Sequence, residues 1–313
     1  MRQILKDKSF QIAIMLTLIF LGTGIFFLFF GLAELNLILF GILPVTLGIS
    51  IGALPNKKWA LVGAFIASLF VLYGLFTIGL AGFICVFYSI PIVISLIFLG
   101  SVITYLIKRY RKIKNDKFYI LLLPLILFVI LAPIEKNLNS NNKQLIEVKT
   151  ERVFNFTPEQ VYDAIKAVDT LDAQKPFLMN FDLPVPTKCV LEKEKVGGLR
   201  TCYFKGGNLS KNEYGGGTIV ERITELERGK ILKMDVIDCN LIGRKWLGFK
   251  EAIYYFEKIG NHNCKLIRVT VYTSVLSPRI YWEPLERLGI EQEHDYVFNN
   301  LDKDLKNKYG SFN

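Results

Sequence analysis

The chain has 313 residues, 51% of them hydrophobic, and a mean hydropathy of +0.34, too apolar for one ordinary water-soluble domain and long enough for two units. Its net charge of +10 is unevenly spread: residues 1–136 hold twelve Lys and Arg against four Asp and Glu, which leaves +2 for residues 137–313. A nucleic-acid reading built on the total is thereby excluded, since the polar half carries no strong positive field.

Residues 9–30 form a nearly unbroken apolar run of the ~20 residues that cross a ~30 Å hydrocarbon core. A second, shorter span is predicted at 37–54, ended by Pro55, Asn56, Lys57 and Lys58. From Trp59 to Ile107 no residue is charged. That is about twice the length of one span, so it divides into 59–80 and 83–107 around Ala81 and Gly82. A fifth span is predicted at 118–133. The membrane domain then covers 1–136, a polar linker 137–143, and a soluble domain 144–313.

Orientation follows from the cations. Arg2, Lys6, Lys8, Lys57, Lys58 and the run Lys108–Lys117 share one side of a five-span arrangement, and only Lys136 lies on the other. Cytoplasmic loops retain such residues, which predicts an integral protein of a cell (inner or plasma) membrane with its N-terminus inside and its C-terminal domain outside. The span interiors hold no ionisable residue, which favours a packed anchor, or a bundle contacting lipid or a partner, over a transporter. Gly48 and Gly52 have the spacing that lets helices approach closely.

In the soluble half, Gln144–Phe154 alternates as a strand. Phe156-Thr157-Pro158-Glu159-Gln160-Val161 then combines a cap, a first-turn proline, a capping box and a hydrophobic staple. Val161, Ala164, Ile165 and Val168 continue it as one helical stripe. The proline-broken stretch Asp169–Thr187 reads equally as a lid over a cavity or a loop packed on the core. Strands are predicted at Lys188–Glu194, Leu199–Lys205, Thr218–Leu226, Lys230–Asp238, Phe249–Lys258 and Cys264–Thr273, punctuated by glycine turns. A long helix follows Ser277 and Pro278 and carries Leu285, Leu288, His294, Phe298, Leu301 and Leu305.

This order, with the segments FTPEQVYDAIKAV, EKEKVGGLRTCYFKGG and YWEPLERLGIEQEHDYVFNNL, resembles the START-like or SRPBCC superfamily, which includes polyketide cyclase/dehydrase and lipid-transport proteins. The resemblance covers about residues 144–308 and none of the membrane half. It implies an α+β helix-grip fold, a curved antiparallel sheet around the long C-terminal helix, with an apolar cavity for a lipid or another hydrophobic molecule. Strand alternation then directs Met234, Val236, Tyr254, Phe256, Ile267, Val269 and Val271 inward, with Tyr296, Val297, Phe298 and Leu301 closing the space from the helix. The competing reading is a solid core.

No catalytic set, cofactor motif or metal-ligand spacing is read. His294 is the one candidate general base, with only Glu291 on its helix face and no Ser or Cys nucleophile tied to it. His262 falls in a turn. Cys189, Cys202, Cys239 and Cys264 allow disulfides outside the cytoplasm or stand as buried thiols. Trp246 beside Arg244 and Lys245 reads as a headgroup anchor or an ordinary loop aromatic. Arg200, Arg222 and Arg268 either reach inward to an anionic group or snorkel to the surface. The functional expectation is binding, and shuttling, of a hydrophobic ligand near the bilayer. Its alternatives are a cyclase or hydrolase using His294 and a membrane sensor or assembly protein with a protein partner.

Overall fold

The first long helix starts where Asp7 Oδ1 accepts a hydrogen bond from the Phe10 amide at 3.1 Å, satisfying one of the donors a helix leaves free at its start. The computed structural model describes residues 5–77, 81–111, 118–139, 144–210, 213–244, 246–260 and 262–310. They form two compact units. One comprises Met1–Ala81, Cys85–Lys143 and Val275–Trp282, the other Gly82–Ile84, Gln144–Ser274 and Glu283–Asn313.

The first unit is built from α1 (Lys8–Phe29), a π-helical stretch (Ile38–Ile42) that runs into α2 (Leu43–Gly52), α3 (Lys57–Thr77), most of α4 (Phe83–Arg111) and α5 (Phe118–Asn139). Helices α1, α3 and α4 are long and apolar enough to cross a membrane. The second expected span is shorter: Ile38–Gly52 rises about 22 Å at 1.5 Å per residue, less than a typical hydrocarbon core. Helix α5 continues through Pro133 to Asn139, so the expected linker begins as helix. Residues 78–80, 112–117 and 140–143, which hold the end of the third expected span, most of the basic run and the rest of that linker, lie outside the described residues.

Small residues set the packing of α2 on α4. A Cβ on Gly48 would stand 2.1 Å from the Ile97 carbonyl oxygen, and one on Gly100 2.2 Å from that of Val45. The two backbones touch, which is how helices associate where no hydrophobic force drives them together. Thr104 Oγ1 adds a hydrogen bond to the Ile49 carbonyl at 2.9 Å.

In the second unit a seven-stranded antiparallel sheet has the order β1-β7-β6-β5-β4-β3-β2. Its strands are β1 (Ile146–Phe154), β2 (Val185–Leu191), β3 (Leu199–Lys205), β4 (Gly217–Glu227), β5 (Ile231–Leu241), β6 (Leu247–Ile259) and β7 (Asn263–Ser274). Bulges at Pro186/Lys188, Val220/Glu221, Ile223/Glu225 and Phe249/Glu251 bend it, and the sheet curls around the long helix α7 (Arg279–Tyr309) as a half-barrel. This is the expected helix-grip architecture. Strand β2 begins at Val185, earlier than predicted, because Pro186 lies on an edge strand, where its missing N–H costs little.

Helix α6 (Pro158–Ile165) carries the predicted capping box: the Thr157 amide donates to Gln160 Oε1 at 2.9 Å, and the Gln160 amide to Thr157 Oγ1 at 3.4 Å. Phe156 and Val161 are both buried in the core it helps close. The segment Asp169–Thr187 packs on α7. Asn300 Oδ1 accepts from the Asp172 and Ala173 amides, Gln292 Oε1 accepts from the Leu178 amide, and Met179 is fully buried.

Candidate functional site

Strand alternation decides what faces α7. On β7, Cys264 and Leu266 join the core with the helix, and Arg268, Thr270 and Tyr272 reach helix side chains. Ile267, Val269 and Val271 therefore point the other way, where they cluster with Ile253 on the outer face. This corrects their inward assignment. Hydrophobicity alone directs the apolar positions of this strand inward, whereas α7 offers Glu293 and His294 as partners, so polar Arg268 and Thr270 occupy the inside.

The remaining predicted residues divide. Met234, Tyr254, Phe256, Val297, Phe298 and Leu301 lie together in one tightly buried cluster with Leu232, Leu266 and Leu305. Val236 stands apart: it is half-buried and pairs in register with Glu221 on β4.

Val236 borders an opening in the sheet. Strands β5 and β6 pair only over Ile231–Asp235 against Glu251–Tyr255. Beyond Asp235, β5 continues to Leu241 bonded to β4, while Leu247–Phe249 of β6 is bonded to β7. On the inner side the diverging strands carry Val236 and Cys239 against Leu247 and Phe249. Burial raises the Cys239 thiol pKa, the Leu241 amide working against it and Asp238 adding to the rise.

Behind the opening lies a layer of buried charge. Arg200, 4% exposed, sets Nε 3.4 Å from Glu221 Oε2, and its Nη1 and Nη2 lie 3.6 Å from Met234 Sδ and Cys189 Sγ. Arg268, 9% exposed, meets Glu293 at 2.8 Å. Both guanidinium carbons stand 5.6 Å from the centroid of the Tyr254 ring, an electrostatically favourable placement. Burial opposes the charge of both arginines. Glu221 and Tyr254 outweigh it for Arg200, and Glu293 and Tyr254 for Arg268, so both pKa values lie above the ordinary arginine value.

His294 completes the layer. Its Nδ1 lies 2.7 Å from Thr150 Oγ1 and its Nε2 2.7 Å from Thr270 Oγ1. Burial, and then the Arg268 charge, hold its pKa well below the ordinary histidine value. A neutral imidazole with both nitrogens engaged orients two threonines and has no free lone pair for base catalysis. At the far end Glu286 accepts from Tyr272 at 3.1 Å and from Ser274 at 2.7 Å.

Arg244 is likewise drawn inside. Its guanidinium lies over Tyr214 and Trp246, and Nη2 donates to the Asp182 carbonyl at 2.9 Å, so it is no headgroup contact. Cys189 and Cys202, directly opposite in register, form a disulfide, while Cys239 and Cys264 are free. Burial, with Glu159 and Glu257, pushes the Cys264 thiol up to about 12. No group of three His, Cys, Asp or Glu side chains suited to a metal ion occurs among the described residues.

Glu221, Glu293, Thr150 and Thr270 were missed from sequence. One signal was present: Glu221 shares its strand face with Ile219 and Ile223, both buried, so a carboxylate at that spacing had to lie inside.

No family model matches the chain, and no curated protein matches it. Among solved structures it is similar to a protein of unknown function from Staphylococcus aureus at 15% identity, over 53% of this chain and 98% of that one, with a TM-score of 0.37. It is similar to the Zhui aromatase/cyclase from a Streptomyces species at 11% identity, over 53% and 96%, with a TM-score of 0.37. It is also similar to a truncated norcoclaurine synthase from Thalictrum flavum at 10% identity, over 56% and 99%, with a TM-score of 0.33.

Proposed function

We propose that this chain is a membrane-anchored START-like protein that binds an apolar or amphiphilic small molecule between its curled sheet and helix α7. One observation carries the reading: the sheet separates between β5 and β6 directly beside a buried layer of paired arginines and glutamates. A packed core with no binding role gains little from such a layer, because buried ion pairs such as Arg200–Glu221 are often less stable than apolar side chains of the same volume. The binding region is accordingly the half bordered by Val236, Leu247 and Phe249, and the buried cluster around Phe298 backs it. Three helices long and apolar enough to cross a membrane support anchoring at the bilayer, and the distribution of Lys and Arg supports a position outside the cytoplasm.

The test is native mass spectrometry, with lipid extraction, on the full-length protein released from membranes. A co-purifying hydrophobic molecule lost after Val236→Glu supports the reading. A protein that emerges empty, and takes up no apolar probe when these are supplied, overturns it.

A further inference from the structure

Three donors in the charged layer meet no acceptor. Among the described residues none accepts from Arg268 Nε or Nη1, and Glu221 lies outside hydrogen-bond geometry from Arg200 Nε. Each is buried beyond the reach of bulk water. Desolvated guanidinium donors of this kind are costly to leave unmade, and native interiors keep few of them.

The charge around them is already balanced. Arg200 faces Glu221, and Arg268 faces Glu293. His294 between the threonines is neutral. An incoming carboxylate or phosphate would leave a net negative charge in a desolvated layer, which is the costly arrangement. A neutral oxygen with lone pairs would satisfy the same donors and disturb no charge.

We propose that the site selects an uncharged amphiphile bearing a carbonyl or ester oxygen, held by Arg268 Nε and Nη1 with Arg200 Nε beside it. This rests on the binding reading above. Both guanidinium carbons stand 5.6 Å from the centroid of the Tyr254 ring, so the unmatched donors of the two arginines share one aromatic neighbour. The apolar body of the ligand lies along Val236, Leu247 and Phe249, where the strands part. Ligand class is thus set by hydrogen-bond acceptance and not by charge.

The probes are three chains of equal length: methyl oleate, oleate at pH 8, and 1-octadecene. Each is titrated against the full-length protein in nanodiscs, with empty nanodiscs as the blank. Methyl oleate should bind at least about a hundred-fold tighter than 1-octadecene, the factor expected for two hydrogen bonds from a charged donor, and tighter than oleate, whose charge upsets the balance of the layer. Arg268→Lys keeps the partner of Glu293 and removes both donors, so it should lose that factor for the ester and leave 1-octadecene unchanged. The double variant Arg268→Met/Glu293→Leu keeps the charge balance and should behave alike, which guards against a single variant that fails to fold. Tightest binding by oleate would overturn the proposal in favour of an anion site. Equal binding of ester and hydrocarbon would overturn it too, because the donors would then be satisfied by ordered water. Failure of all three probes to exceed the blank would overturn the binding reading itself.

Discussion

Arg268 on β7 and Glu293 on α7 meet at 2.8 Å across the sheet–helix interface, the arginine almost wholly buried and the glutamate partly open to solvent. They join the two halves of the grip at its middle, where apolar packing gives way to charge.

Removing one partner should therefore cost more than removing both. Arg268→Ala leaves Glu293 unmatched and Arg200 without the neighbouring charge pattern, a loss on the order of 3 kcal/mol for a buried pair. Arg268→Met/Glu293→Leu should stay within about 1 kcal/mol of the native protein. Denaturant unfolding of all three, followed by tryptophan fluorescence, measures the difference. A double variant as unstable as Arg268→Ala would show that the pair itself, and not the orphaned charge, holds the interface.

His294 makes stability depend on acidity. Its folded-state pKa is depressed, so the unfolded chain binds the proton more readily, and the stability contributed by the neutral ring is lost as pH falls below the unfolded value of ~6.5. The loss approaches about 1.4 kcal/mol per pH unit until the folded pKa is reached. Between pH 7 and pH 5 the native protein should lose more stability than His294→Gln, which has no proton to take up. Equal slopes in the two would show that the ring titrates normally.

Much of this fold was legible because local and global signals agree. The capping box at Thr157 and Gln160, the glycine turns and the helical row ending in Leu305 each act over a few residues and need no distant partner to be read. The inner face of β7 was not legible in the same way. Hydrophobicity assigns Ile267, Val269 and Val271 to the interior, and only the partners on α7, some twenty residues later in the chain, make Arg268 and Thr270 the buried set. The opening between β5 and β6 was hidden for a related reason: each segment keeps its other partner, β4 or β7, beyond the point where the two part, and no local run of residues records that.

The contact of α2 with α4 predicts intolerance at a single glycine. Gly100→Val would drive a side chain into the Val45 carbonyl, already 2.2 Å from where its first carbon would lie. No side-chain rotation relieves a clash with backbone, so the helices must separate and the Thr104 hydrogen bond to Ile49 must break. The full-length variant should be extracted in low yield and aggregate on size-exclusion chromatography. Gly22→Val, at a glycine where a Cβ meets nothing within 4 Å, is the matched control and should behave as the native protein does. Normal behaviour of Gly100→Val would mean that the two helices do not pack through this face.

The Cys189–Cys202 disulfide ties edge strand β2 to β3, and it bears on the side of the membrane as well as on stability. Such bonds persist in oxidising compartments, and a domain outside the cytoplasm is also what the Lys and Arg distribution predicts. Acid-quenched cells alkylated before and after reduction should show Cys189 and Cys202 modified only after reduction, with Cys239 modified in both samples on unfolding. Replacing both bridge residues with Ser should cost about 3 kcal/mol, the scale for a closed loop of this length. The strand most affected should be β2, whose amides would exchange with solvent faster while those of β6 and β7 stay protected. Modification of Cys189 and Cys202 without reductant would put the domain on the reducing side, and the five-span arrangement with its cytoplasmic N-terminus would have to be abandoned.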